Sequence, residues 1–255
     1  MKKRVKDPLV DKILKAVSTT SIQYNVIEPN DKILVAISGG KDSYALLYLL
    51  KKLQRRLPFN IELLAVHVNQ SQPGFDPAPL EYWLEHCGVP YKIIKEDIFS
   101  IILNNTKPGS SPCPVCSRMR RGVLYTTAEK NGCNKIALGH HLEDTLATFM
   151  MNLFYSGRLQ AMPPIYTTDD NRFKVVRPMI EVPVADITEL VNREDFPIVP
   201  CGSCSEQPLH KRTSMEQMLN ELQKDNPNIK NVMLGALKHI NPTHLMDKTV
   251  TRNIK

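Results

Sequence analysis

The apolar run Ile33-Leu34-Val35-Ala36-Ile37 passes without a break into Ser38-Gly39-Gly40-Lys41-Asp42-Ser43, and that hexapeptide into the helix-like run Tyr44-Ala45-Leu46-Leu47-Tyr48-Leu49-Leu50. A strand rich in β-branched residues, a glycine turn and a helix in that order make the first half of a βαβ unit. Two glycines let the backbone turn tightly enough for successive N–H groups to face one concavity, and the helix N-terminus adds partial positive charge. The guest that suits such a loop is an anion such as pyrophosphate. A Walker A loop is excluded, because Val35 stands where its first glycine belongs and Asp42 where its hydroxyl residue belongs.

The rest of the chain extends the same pattern. Short apolar runs predict strands at 32–37, 61–67, 91–95, 134–139 and 173–177, and helical periodicity fills 43–54, 77–87, 117–131 and 142–155 between them. The expectation is an α/β fold, a doubly wound parallel sheet of about five strands covered on both faces. Ligands of such sheets bind beyond the strand carboxyl ends near a topological switch, where the loop at 38–43 lies. Leu9, Val10, Ile13, Leu14 and Val17 mark an amphipathic helix within 7–27, and helices at 184–194, 208–225 and 228–239 follow Pro183. Three regions are therefore expected: a helical segment at 1–27, an α/β domain at 28–182 and a mainly helical region at 183–255. Loops at 70–77 and 104–114, rich in proline and glycine, are expected to border the active site.

Composition excludes several classes. With 42% apolar and 23% charged residues over 255 positions the chain is an ordinary globular protein, not a disordered one. No apolar run approaches the roughly 20 residues that a membrane span needs, and Met1-Lys2-Lys3-Arg4 leads into no long apolar core, so a cytoplasmic protein without a membrane partner is expected. A net charge of +7 is concentrated in Lys2 to Lys6, Arg118 to Arg121, Lys211-Arg212 and Lys248 to Lys255. That distribution suits a polyanionic partner and equally a set of solvated faces. Six cysteines in such a chain argue for metal or redox work over structural disulfides.

Cys113-Pro114-Val115-Cys116 closes the long loop just before the predicted helix that carries Arg118, Arg120 and Arg121, a setting that favours thiolates. Pro200-Cys201-Gly202-Ser203-Cys204 supplies a second pair. The pairs lie more than eighty residues apart, far beyond the roughly 15 to 20 of a zinc ribbon. A zinc ion, a redox dithiol and an iron–sulfur cluster all remain open on this spacing. Cys87 and Cys133 have ordinary helix and pre-strand surroundings and read as core. In Gly139-His140-His141-Leu142-Glu143-Asp144 the adjacent histidines point to different sides of any regular element, which argues against a zinc pair.

Ser38-Gly39-Gly40-Lys41-Asp42-Ser43 resembles the PP-loop of the ATP pyrophosphatases. Gln72-Pro73-Gly74-Phe75, the Cys113 to Gly122 segment, Ile136 to His141, Met162-Pro163-Pro164, Arg177-Pro178 and Pro200-Cys201-x-x-Cys204 together resemble the TtcA family, the tRNA 2-thiocytidine synthetases, from about residue 20 to about 246. The resemblance implies ATP-dependent thiolation of cytidine 32 in a tRNA anticodon loop. It implies that Ser38, Gly39, Gly40 and Ser43 grip the β,γ-pyrophosphate, that Lys41 offsets its charge and that Asp42 lies near Mg²⁺. It implies a 4Fe-4S cluster on Cys113, Cys116 and Cys204, which makes Lys41, Asp42, Cys113 and Cys116 the candidate catalytic residues. Gly139 and Asp144 would border ATP, although Glu143 replaces the first acidic residue of the family's His-His-x-Asp-Asp. His67, at the end of the second predicted strand, is placed to meet adenine through its backbone. Arg118, Arg120 and Arg121 are candidates for tRNA phosphates. A sulfur donor such as a cysteine desulfurase is implied as a partner, and a homodimer is one assembly open to the chain. Two rivals stand beside this reading: another PP-loop enzyme, either a zinc or disulfide thiolase or an amidating synthetase, and a non-catalytic RNA-binding iron–sulfur protein.

Overall fold

The computed structural model describes residues 7–105, 113–199 and 211–246. Cys201, Cys204, residues 106–112 and the basic residues near both termini lie outside them. The described chain forms two compact units, Met1–Leu142 with Pro163–Pro208, and Glu143–Met162 with Leu209–Lys255.

The first unit holds the sheet. Its elements run α1 (Pro8–Tyr24), β1 (Lys32–Ile37), α2 (Lys41–Gln54), β2 (Glu62–Asn69), α3 (Ala78–His86), β3 (Tyr91–Lys95), α4 (Ile98–Asn105), α5 (Cys113–Lys130), β4 (Lys135–Ala137), β5 (Ile165–Thr167), β6 (Lys174–Val176) and α7 (Val184–Glu194), while α6 (Leu142–Met151) leads into the second unit. The strand order is β3-β2-β1-β4-β6-β5. All neighbours are parallel except the β5–β6 pair. The sheet therefore has six strands where about five were expected. The extra strand is three residues long, and it exists because Ile165, Tyr166 and Thr167 pair with Val176, Val175 and Lys174. Leu124, Ile98 and Ile102 pack with Leu34, Leu64 and Val66 on one face of the sheet, while Ile33, Val35, Leu63 and Ala65 pack with α1, α2 and α7 on the other. Alternate residues of one strand thus enter two different cores, which is why β1 and β2 are apolar at nearly every position.

Local chemistry sets the ends of these elements. Asp7 caps α1 by accepting from the Leu9 and Val10 N–H groups at 3.0 and 3.3 Å, with Pro8 in the first turn where no donor is needed. α4 was not expected, yet Asp97 accepts from the Ser100 N–H at 3.2 Å and starts it in a stretch given no element, and its last two residues run into the region read as a loop. α5 begins at Cys113 and not at 117 as expected. Pro114 is tolerated there because a first-turn residue has no intrahelical N–H partner to lose. No described helix is long and apolar enough to cross a membrane.

The second unit is helical. α6 runs into a short π-helix (Asn152–Ser156), and α8 (Lys211–Asp225) and α9 (Ile229–Lys238) complete it. Met215 and Leu219 of α8 are buried, and Lys230 on α9 reaches Glu143 at 3.1 Å.

Candidate active site

The connections of the sheet reverse direction between β1 and β4, so the crevice beyond their carboxyl ends is the switch point of the fold. The hexapeptide occupies it. Gly39 has φ +86°, a conformation that disfavours side chains, and its carbonyl accepts from the Val199 N–H at 3.0 Å. Ser43 Oγ accepts from the Ser38 N–H at 3.2 Å and donates to the Gly40 carbonyl at 2.8 Å, while Ser38 Oγ accepts from the Gly40 N–H at 3.3 Å. The two serine hydroxyls lie 3.2 Å apart. These bonds hold the loop closed on itself. α2 starts from Gly40 with no side-chain cap, which leaves its positive end for an anion. Lys41 Nζ and Asp42 Oδ1 pair at 2.5 Å, each about one-third exposed.

Gly139 sits at the end of β4 against this loop. A Cβ there would come 2.9 Å from the Asp42 carbonyl oxygen and 3.3 Å from the Ser43 nitrogen, so only glycine lets β4 and the start of α2 approach so closely. Next to it, His140 Nδ1 accepts from Arg177 Nε at 3.2 Å, and Arg177 also donates to the Pro163 carbonyl at 2.7 Å. Arg177 is buried, and burial lowers the guanidinium pKa from its ordinary value.

His67 lies near the carboxyl end of β2, paired in register with Ile37 at the end of β1. Its Nδ1 lies 2.9 Å from the Ile37 carbonyl, an acceptor, so Nδ1 carries the proton and Nε2 is left as an acceptor. Nε2 is buried and has no partner among the described residues. Phe75, from the loop expected to border the site, stacks on the ring with centroids 5.6 Å apart. Burial lowers the imidazole pKa from 6.5, which keeps the ring neutral.

The cysteine helix opens on the same edge of the sheet. Cys116 Sγ donates to Gln70 Oε1 at 3.0 Å, and Gln70 directly follows β2. Sequence reasoning passed over Gln70 as a partner, since only the tertiary fold brings positions 70 and 116 together. Cys113 is the first residue of α5, three positions before Cys116. Two soft sulfur donors at a helix N-terminus fit an iron or zinc centre. Among the described residues no three His, Cys, Asp or Glu side chains gather as a metal site. Arg118 and Arg121 are exposed on α5, and Arg120 is half-buried with a buried Nε that has no partner among the described residues. Cys133 is buried in the core and Cys87 caps α3 with Sγ to the Leu84 carbonyl. Burial pushes both thiols up, which suits inert packing.

Asp144 belongs to the second unit, where it is buried and its Oδ1 pairs with the Arg212 guanidinium. Arg212 also holds Glu216 at 3.0 Å.

Residues 10–200 match the family model of the PP-loop domain. The chain is 46% identical over 232 residues to a tRNA-cytidine(32) 2-sulfurtransferase of Neisseria gonorrhoeae (strain NCCP11945), an overlap of 91% of this chain and 73% of that one. It is 41% identical over 243 residues to the enzyme of that name from Anaeromyxobacter sp. (strain K), covering 95% of this chain and 84% of the relative. Among solved structures, the U34-tRNA thiolase NcsA from Methanococcus maripaludis with its [4Fe-4S] cluster shares the fold, with a TM-score of 0.70 at 24% identity over 92% of this chain and 80% of that one. The phosphate loop at the sheet's switch point and the relatives that carry it lead to one conclusion: the chain belongs to the PP-loop domain family and, within it, to the tRNA-cytidine(32) 2-sulfurtransferases.

Proposed function

We propose that this chain uses ATP to replace the C2 oxygen of cytidine 32 in a tRNA anticodon loop with sulfur. The observation that carries the reading is that the phosphate loop and the Cys116–Gln70 contact open on the same edge of the sheet, one after β1 and the other after its neighbour β2. In the first step the C2 oxygen attacks the α-phosphorus of ATP, an O–P bond forms, and pyrophosphate leaves. The loop backbone and the positive end of α2 stabilise the departing charge, with the Ser38 and Ser43 hydroxyls as hydrogen-bonding partners. Lys41 and Asp42, paired with each other in this structure, would separate as Lys41 turns to the phosphates and Asp42 to Mg²⁺. Neutral His67 and Phe75 line the place next to the loop, where an adenine suits the unpartnered, buried Nε2 acceptor.

In the second step sulfur at the sulfide level adds to C2, and AMP departs with the original oxygen. Cys113 and Cys116 would hold a 4Fe-4S cluster with Cys204 as the third ligand. Held by three cysteines, such a cluster would supply a site for sulfur. A cysteine desulfurase is the class of donor: it delivers sulfur as a persulfide, and a thiol reductant supplies the two electrons that bring that sulfur to the sulfide level. An anticodon loop suits this chemistry because its bases leave the stack without melting a duplex.

Nucleoside mass spectrometry of tRNA from cells with and without the gene tests the reading. Loss of 2-thiocytidine on deletion, restored by the wild-type chain and not by Cys116→Ala, is the expected result. Unchanged 2-thiocytidine would overturn it.

A further inference from the structure

Most large apolar side chains of the second unit's first segment are outside its core. Leu153, Phe154 and Tyr155 on the π-helix are 39, 55 and 50% exposed, and Leu159 just beyond is 66% exposed. A soluble chain seldom leaves consecutive large apolar residues in water without a use for them, and π-helical turns are frequent at functional sites. The charged residues that adjoin the rings are cations. Lys211 Nζ stands 4.5 Å from the centre of the Tyr155 ring, Arg158 is exposed two residues past the π-helix, and no Asp or Glu occurs between Asp144 and Asp169. The geometry of the turn is fixed from within. Asn152 donates from Nδ2 to the Gln160 carbonyl at 2.8 Å, its own carbonyl accepts from the Arg158 N–H at 3.0 Å, and Gly157 takes φ +60° to close the turn.

We infer that Phe154 and Tyr155 form a stacking platform for unpaired nucleotides of an RNA, with Lys211 and Arg158 meeting the phosphates beside them. The inference rests on the reading of the chain as an RNA-modifying enzyme and gives that reading a surface. An aromatic face accepts any unstacked base, and a cation beside the ring both tracks the backbone and reinforces the stack. A purely greasy patch for a lipid or a second protein copy would not require the cations. A purely electrostatic contact would not require the exposed rings.

Binding of a labelled anticodon stem-loop RNA, and of a blunt duplex RNA of equal length, to Phe154→Ala, Tyr155→Ala and Tyr155→Phe proteins tests the inference by fluorescence anisotropy. Each alanine variant is expected to lose about fivefold to hundredfold affinity for the stem-loop, with duplex binding unchanged. Tyr155→Phe, which keeps the ring, is expected to stay within about twofold of wild type. Circular dichroism and sedimentation run on the same samples exclude unfolding as the cause. If wild type binds the stem-loop and the alanine variants match it, the platform is wrong and the proposed function stands. If the alanine variants change the oligomeric state or the retention on anionic vesicles while RNA affinity holds, the patch is a self-association or membrane face and the inference falls. If wild type fails to bind the stem-loop at all, both readings fall.

Discussion

At the residue scale, single atoms explain why particular positions tolerate no change. A methyl group at Gly139 would meet the Asp42 carbonyl at 2.9 Å, and neither backbone can retreat without moving the first turn of α2. Gly139→Ala is therefore expected to cost about 1–3 kcal/mol in a thermal melt. It should also cut tRNA-dependent AMP formation by about tenfold or more, because each ~1.4 kcal/mol of lost transition-state stabilisation is tenfold in rate. Gly235, in the middle of α9 with nothing within 4 Å, provides the contrast: Gly235→Ala is expected to stabilise by roughly 0.5–1 kcal/mol. His67 adds a dependence on pH. Its folded pKa lies below 6.5, so the unfolded chain takes up the proton first as pH falls. His67 then contributes no penalty above about 6.5 and a growing one as pH drops through its lower folded value. Urea denaturation on either side of that window should show stability falling toward acid in wild type, with a shallower fall in His67→Gln.

At the element scale, the segment after α7 is bound to the phosphate loop. Tyr44, in the first turn of α2, donates its hydroxyl to the Pro197 carbonyl at 2.9 Å and stacks on Phe196 with centroids 5.6 Å apart, while Val199 bonds Gly39. Burial pushes the Tyr44 phenol up to about 12, so it remains a donor at any physiological pH. Tyr44→Phe leaves the Pro197 carbonyl without this donor and is expected to lose about 1–3 kcal/mol. The emission of Trp83, the chain's only tryptophan and an edge-on neighbour of both rings, should shift with it. Such links also show how much was legible beforehand. The loop and the alternation around it could be read because strand, glycine turn and helix each leave a local pattern. β5 could not, since three residues become a strand only through their partners on β6. The start of α5 was misread because Pro114 looked like a breaker, whereas position in the first turn decides its effect. α4 did carry a signal, Asp97 before an apolar run, but the polar Asn104-Asn105 end blended into the following loop. The site divides the same way: the hexapeptide is local and was legible, while Cys116–Gln70 and Gly39–Val199 are contacts between distant segments and had no mark in the sequence.

At the scale of the whole molecule, the two ends of the sheet do different work. The carboxyl end holds the phosphate loop, Gly139 and His67. The amino end holds Lys135, 1% exposed, which pairs with buried Asp31 at 2.7 Å and with Glu28 at 2.8 Å and donates to the Asn25 and Val26 carbonyls. The hydrogen bond from Lys135 holds the Glu28 carboxyl below its ordinary range. Lys135→Met strands a buried carboxylate and is expected to cost about 3–5 kcal/mol in chemical denaturation, while AMP formation per folded molecule stays at the wild-type level. Gly139→Ala should show the opposite balance, a small loss of stability with a large loss of chemistry. The second unit has its own consequence, and it concerns time. Its pieces, Glu143–Met162 and Leu209–Lys255, are separated by the whole of β5, β6 and α7, so a ribosome delivers the first piece and then some forty-six residues of the other unit before the second. By the end of that interval the phosphate loop and every strand of the sheet have been synthesised. A nascent chain paused there carries the complete loop without the helices that finish the second unit, and the order of synthesis makes that unit the last to form.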